Sequence, residues 1–193
     1  MKVAIIDYGA GNIQSLQFAL QRLDVKAVLT NNKDVLNSAE KVIFPGVGEA
    51  SSAMHKLRTA GLDNFIPSLS QPVLGICLGM QLMCNETSEG ETKGLGIFDC
   101  NVSKFTTQVK VPQMGWNNIF NLKGKLFDGI SENEYMYLVH SYYAPVTKDT
   151  IACTNYGEDY CTAMQKENFY GVQFHPEKSS KTGSRLLQNF LSL

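Results

Sequence analysis

A chain of 193 residues suits one domain and is long enough to bury a full core. Its 17 basic side chains nearly balance 18 acidic ones and form no run, which argues against nucleic acid or a membrane surface as the main partner. Five cysteines, at 77, 84, 100, 153 and 161, form an odd, scattered set with no C-x-x-C pair. That pattern argues against a zinc site or a disulfide framework and for a reducing cytoplasm.

The opening MKVAIIDYGAGN has too short an apolar run for a signal peptide, and no segment approaches the length of a membrane span. Residues 2–7 predict a buried strand. The turn Tyr8-Gly9-Ala10-Gly11-Asn12 follows, with Asn12 as N-cap of a helix whose Ile13, Leu16, Leu20 and Leu23 share one face. This strand, glycine turn and helix lack both G-x-G-x-x-G and G-K-[ST], so a phosphate loop is a weak reading. A strand at 26–30, a short helix at 34–39 and a strand at 41–44 come next. The last runs into Pro45-Gly46-Val47-Gly48 and a helix at 49–60.

Residues 72–86, PVLGICLGMQLMCNE, begin as an apolar strand, turn sharply at Gly75-Ile76-Cys77-Leu78-Gly79, and continue as MQLMCNE, which predicts helix. The pattern matches the G-x-S-x-G nucleophile elbow with sulfur in place of oxygen. A helix starting after Cys77 points its first N–H groups at the sulfur and favours a thiolate. The plain alternative is a structural cysteine at a strand end.

Beyond residue 90 the texture changes. Strands are expected at 102–105, 116–120, 135–142, 151–155, 162–165 and 170–174, with one helix at 179–191. The fold expected is α/β: a single domain over 1–193 with a central, mostly parallel sheet flanked by helices, plus antiparallel strands in the C-terminal half. In such sheets sites gather at the carboxyl ends of strands, where Cys77, the 46–48 turn and the 9–12 turn would meet.

A thiol nucleophile needs a base, and the base an orienter. Of three histidines, His55 falls in a helix with a solvated role expected, and His140 within YLVHSYY. His175 ends GVQFHPE, with Glu177 two residues on and on the same side of an extended backbone. Such a carboxylate fixes the tautomer that accepts a proton from sulfur.

PGVG, GICLGMQ and GVQFHPEKS, in this order and spacing, resemble the class I, or triad, glutamine amidotransferases over nearly the whole chain. DYGAGN, PGVGEA, PQMGWN, VHSYY and HPEKSS narrow the resemblance to the glutaminase subunits of imidazole glycerol phosphate synthases, of the histidine pathway. The usual PHMGWN reads PQMGWN here. Gln113 replaces a histidine outside the triad, which leaves room for a paralogue serving another pathway.

The resemblance implies Cys77 as nucleophile, His175 as general base and acid, and Glu177 as its orienter. The backbone N–H groups of Val47 and Leu78 would form the oxyanion hole. Gln81 and Glu89 would hold the polar end of glutamine, with Gly48, His140, Ser141 and Tyr142 beside the same pocket. Residue by residue, the alternatives are a surface Gln81, a solvated Glu89 and a strand histidine at 140. No cofactor or metal is implied. The implied partner is a (β/α)8-barrel cyclase subunit, faced by Asn12, Tyr137 and Lys178, forming a heterodimer that makes imidazole glycerol phosphate and AICAR. A stand-alone thiol hydrolase of γ-glutamyl amides would share the elbow and triad. A non-catalytic binding module would usually have lost a triad member.

Overall fold

The computed structural model describes residues 1–9, 12–106 and 108–193; Ala10 and Gly11 of the first glycine turn lie outside the described residues. The first half alternates strand and helix. β1 (Val3–Ile6), β2 (Val28–Thr30), β3 (Lys41–Phe44) and β4 (Val73–Ile76) are joined through α1 (Ile13–Gln21), α2 (Lys33–Asn37) and α3 (Ala50–Thr59). β1, β3 and β4 are buried at every position. A strand covered on both faces needs a continuous apolar run, and VAII, VIF and VLGI supply it. Val3, Ile5, Ile43 and Leu74 point into one hydrophobic cluster, while Ala4, Ile6, Val42, Phe44 and Val73 point into the other, so the sheet is sandwiched by period-two alternation.

α4 (Leu78–Leu82) follows β4. Then come β5 (Cys84–Thr87), β6 (Thr92–Lys93), β7 (Phe98–Lys104), β8 (Gln113–Asn118), β9 (Tyr135–His140), β10 (Tyr142–Tyr143), β11 (Thr150–Asn155), β12 (Asp159–Lys166), β13 (Phe169–Val172) and α5 (Ser180–Leu191). The main sheet has the order β11-β12-β13-β4-β3-β1-β2. Its β13-to-β2 portion is parallel, and β11 and β12 add antiparallel strands at one edge. The α/β class, the mostly parallel sheet and the antiparallel C-terminal strands expected from sequence are all present. β13 lies beside β4 in register, Tyr170 against Leu74 and Val172 against Ile76. The chain leaving β4 toward Cys77 and the chain leaving β13 toward His175 therefore emerge side by side.

Three sequence expectations need correction. The helix after Cys77 ends at Leu82, and Cys84–Thr87 is a strand rather than its continuation. The N–H groups of Leu95, Ile97 and Gly96 take the carbonyls of Leu82, Met83 and Cys84, which a longer helix would have used. Because residues 78–84 are all buried, their pattern has no period to reveal the change. The strand expected over 135–142 breaks at Ser141: β9 pairs with β8, and β10 with β7. Asn12 occupies the N-cap position of α1 without making a side-chain cap bond.

The PGVG turn packs against the elbow. A Cβ on Gly79 would run into the carbonyl oxygen of Phe44, and one on Gly46 into the backbone N of Gly79. Both obstacles are backbone and cannot swing aside. Gly79→Ala is therefore expected to cost about 3 kcal/mol through overpacking. The urea midpoint measures this, and an unchanged midpoint would refute the close approach of β3 and α4.

Candidate active site

Cys77 joins β4 to α4 with φ 53° and ψ −111°, a region that side-chain-bearing residues rarely enter. Both of its peptide groups are engaged. Its N–H donates to the Val172 carbonyl at 2.8 Å, and its carbonyl accepts from the Gln81 N–H at 3.2 Å. The bend turns the side chain out of the sheet plane into a cavity. There the sulfur lies 3.6 Å from Gln173 Nε2 and 3.9 Å from the Val139 carbonyl oxygen. Leu78 opens α4, and a first-turn N–H has no acceptor inside its own helix.

His175 lies three residues beyond the end of β13. Its N–H donates to the Tyr137 carbonyl at 2.9 Å, and its Nδ1 meets Glu177 Oε1 at 2.8 Å. The pair does not form on extended backbone as expected. Pro176–Lys178 is a turn of 3-10 helix, and it is this turn that swings the carboxylate back onto Nδ1. Ser179, wholly buried, secures the arrangement. Its hydroxyl donates to the His175 carbonyl at 2.6 Å and accepts from the Tyr137 N–H at 2.9 Å. Sequence reasoning missed Ser179; its signal was a serine placed just ahead of a helix start, where such residues tie down backbone groups.

The Nδ1–Glu177 bond leaves Nε2 as the working end of the imidazole. Nε2 and Glu177 Oε2 are both buried and lack hydrogen-bond partners. Burial pulls the imidazole pKa down, but the Cys77 thiol and the Glu177 carboxylate pull it up more strongly, to about 10. The sulfur thus stands near enough to raise the imidazole without meeting hydrogen-bond geometry. An orphaned buried nitrogen is costly, and it marks where a mobile proton belongs.

A cavity of about 270 Å3 opens over these groups, lined by Val47, Gly48, Cys77, Leu78, Gln81, Glu89, Pro112, Val139, His140, Ser141, Tyr142 and His175. Every residue named from sequence for the nucleophile, the base, the oxyanion hole and substrate contact is on that wall. Glu177 stands behind His175. Gln81 is buried rather than on the helix surface, and its Nε2 donates to the Tyr142 carbonyl and to Gln173 Oε1, both at 2.9 Å. Glu89 is half-buried, with Oε2 accepting from the Ala50 N–H at the start of α3 at 2.9 Å. Burial raises its carboxyl pKa.

His140 is buried, its Nδ1 donating to the Tyr142 carbonyl at 2.8 Å and its Nε2 lying 3.2 Å from the Tyr160 hydroxyl. Burial pulls its pKa down to about 4, so it is neutral at physiological pH. The Tyr160 hydroxyl donates to Gln113 Oε1 at 2.8 Å, which places Gln113 in the layer supporting the pocket wall.

The residues expected to face a partner lie on the rim beyond His175. Lys178 Nζ sits 5.8 Å above the Tyr137 ring centroid, and exposed Asn12 shares a small crevice with Val47, His175 and Glu177. Adjacent to them is a broad depression of about 640 Å3 bearing Arg22, Lys178, Lys181 and Arg185. It is larger than the cavity over Cys77, but neither a cysteine nor a histidine lines it. His55 is exposed on α3. All five cysteines are free and buried. Among the described residues no helix is long and apolar enough to cross a membrane.

The two histidines set opposite limbs of the stability profile. His140, neutral when folded down to about pH 4, takes up a proton on unfolding below about 6.5, so stability falls by up to roughly 3 kcal/mol as pH drops through that window. His175, raised to about 10, holds its proton when folded, so its contribution is complete below about 6.5 and is lost as pH climbs toward 10. Thermal unfolding from pH 4 to 10 is expected to show a flatter acid limb in His140→Gln than in the wild type. An acid limb of unchanged slope would contradict a buried neutral imidazole.

Residues 4–193 match the family described as glutamine amidotransferase class-I. The HisH subunit of imidazole glycerol phosphate synthase from Bacteroides thetaiotaomicron is 55% identical over 196 residues, covering all of both chains. The HisH subunit from Yersinia pseudotuberculosis is 45% identical with the same coverage. In fold, the chain is similar to a solved glutamine amidotransferase, with TM-score 0.78, 18% identity, and coverage of 100% of this chain and 98% of that one. It is also similar to PurLQS from Thermotoga maritima, with TM-score 0.74, 14% identity, and coverage of 99% and 97%. The full-length identity to the HisH subunits and the match along residues 4–193 make this chain a member of the class I glutamine amidotransferase family.

Proposed function

We propose that the chain hydrolyses the side-chain amide of glutamine and delivers the ammonia to a (β/α)8-barrel cyclase subunit. The heterodimer would make imidazole glycerol phosphate and AICAR for histidine synthesis in the cytoplasm. The observation that carries this reading is the shared lining of one small cavity by the Cys77 sulfur, the His175 imidazole, Gln81 and Glu89. The cavity suits an amino acid rather than a peptide chain. Glu89 offers a carboxylate to an α-ammonium group. Gln81, with both amide hydrogens already committed, has its carbonyl oxygen left to offer.

In this mechanism the Cys77 thiolate attacks the amide carbon, and His175 gives its Nε2 proton to the departing nitrogen. Ammonia leaves, and a thioester to Cys77 remains. Water then enters, loses a proton to His175 and releases glutamate. Glu177 holds the imidazole and stabilises its cationic form. Each addition passes through an oxyanion, served by the Leu78 and Val47 N–H groups. Losing one such donor typically costs about 3–4 kcal/mol of transition-state stabilisation.

Free ammonia is mostly protonated near neutral pH and is then no nucleophile, so a closed passage to a second subunit is chemically sensible. The relatives' names describe subunits of a larger enzyme. The rim of Asn12, Tyr137 and Lys178, with the cationic depression beside it, suits a partner presenting carboxylates.

Cys77→Ala is expected to abolish ammonia release with an unchanged circular dichroism spectrum, whereas Cys84→Ala, Cys100→Ala, Cys153→Ala and Cys161→Ala retain it. Residual turnover in the first, or unfolding as its sole defect, would sink the nucleophile assignment. Glu177→Gln is expected to lower kcat on the order of a hundredfold and to change KM little, since imidazolium stabilisation matters in the transition state. Wild-type kcat in that variant would make the His175–Glu177 pair incidental. The chain alone is expected to be a poor glutaminase, activated by the cyclase and further by the cyclase's nucleotide ligand. A shift from about 1% to 99% competent needs roughly 5.5 kcal/mol of differential binding. Equal rates in all three conditions would favour the stand-alone hydrolase.

A further inference from the structure

Gln173 is fully buried, lies outside any strand, and has a polar side chain that the mechanism above leaves unused. Its amide stands between the residue that would receive the substrate's polar end and the sulfur that would attack its amide. Gln81 Nε2 lies 2.9 Å from Gln173 Oε1, and Gln173 Nε2 lies 3.6 Å from Cys77 Sγ. Oxygen and nitrogen of an amide are interchangeable in outline, so their orientation has to be argued from partners. Here one backbone group decides both. The Tyr142 carbonyl can only accept, so the Gln81 atom facing it at 2.9 Å is the nitrogen. The same nitrogen faces Gln173, whose near atom must therefore be the acceptor oxygen. The nitrogen of Gln173 is left pointing at the sulfur. The Tyr142 carbonyl also receives the His140 Nδ1–H at 2.8 Å, which fixes that imidazole's tautomer as well.

We propose that Gln173 is a positioning residue with two tasks, one at each end of its amide. Its N–H donates to Cys77 Sγ and favours the thiolate, aimed into the cavity. Its carbonyl holds Gln81 with the oxygen of Gln81 turned to the ligand. A donated N–H lowers the energy of a sulfur anion more than that of a thiol. The backbone holds the residue rigidly enough for this, because its own N–H donates to the Thr162 carbonyl of β12 at 2.8 Å. This inference rests on the glutaminase reading for what Gln81 binds, but not for what the sulfur feels.

Two near-isosteric variants separate the two tasks. Gln173→Glu keeps an acceptor for Gln81 but loses the donor to sulfur and adds negative charge beside it. Gln173→Met removes both bonds at similar length. The rate of Cys77 alkylation by iodoacetamide is followed against pH, with Cys77→Ala as background and circular dichroism confirming the fold. Glutamine kcat and KM are measured in the complex with the cyclase. Both variants are expected to move the alkylation profile upward by about one pH unit. KM is expected to stay near the wild-type value in Gln173→Glu and to rise about tenfold in Gln173→Met, where Gln81 is free to turn. A wild-type alkylation profile in Gln173→Glu would overturn the proposal, as would an unchanged KM in Gln173→Met. Should Gln173→Met fail to fold, the Gln173→Glu profile still decides. A wild-type complex that alkylates normally yet releases no ammonia would defeat the glutaminase reading instead, so the two failures are distinct.

Discussion

The hydrogen bond from the Cys77 N–H to the Val172 carbonyl carries the parallel pairing of β4 and β13 one residue past the end of β4. Everything at the site follows from that rung. It holds the nucleophile's backbone while the chain turns through a conformation costing of order 1–3 kcal/mol. It also sets β13 at the register from which His175 arrives beside the sulfur. The elbow can bend so tightly only because Gly79 and Gly46 carry no Cβ where the Phe44 carbonyl and the Gly79 amide pass. The same contact brings the Val47 turn against the first turn of α4, where an oxyanion would sit.

The elbow was legible because its glycines answer a steric demand that any strand-turn-helix crossing makes. His175 and Glu177 were legible as a pair, but the reason offered for their meeting was wrong: a 3-10 turn joins them, not an extended backbone. β5 was hidden because helix propensity was overruled by carbonyls promised to a segment a dozen residues away. Gln173 was invisible for a related reason. In GVQF it reads as one polar residue in an apolar strand, and its partner Gln81 is 92 positions distant. Local pattern reveals backbone chemistry; a side-chain bond across that separation depends on the sheet order, which pattern alone does not supply.

The ionisable groups of the proposed triad are gathered behind one cavity. Cys77, His175 and Glu177, the proposed triad, sit in buried surroundings that strengthen every electrostatic interaction among them. Around them runs a network of neutral groups, His140 held uncharged by burial, Tyr160, and the amides of Gln81, Gln113 and Gln173, while Glu89 adds a carboxylate to the cavity lining. Gln113 belongs to that network. An amide hydrogen-bonds the Tyr160 hydroxyl and cannot acquire a proton as an imidazole would.

β9 connects this chemistry to the surface. The Tyr137 carbonyl holds the His175 N–H, the Tyr137 N–H rests on Ser179, and two residues along the Val139 carbonyl lies 3.9 Å from the Cys77 sulfur. The outward side of the same residue, the Tyr137 ring, lies under the Lys178 ammonium. β8 and β9 form a ribbon of their own, joined to the main sheet by the Phe120–Cys153 bridge just past the end of β8. Met136 and Leu138 anchor the ribbon in the core, so β9 links the surface to the site as one packed unit. A subunit bearing on Tyr137 and Lys178 would therefore act through β9 on the backbone groups that hold His175.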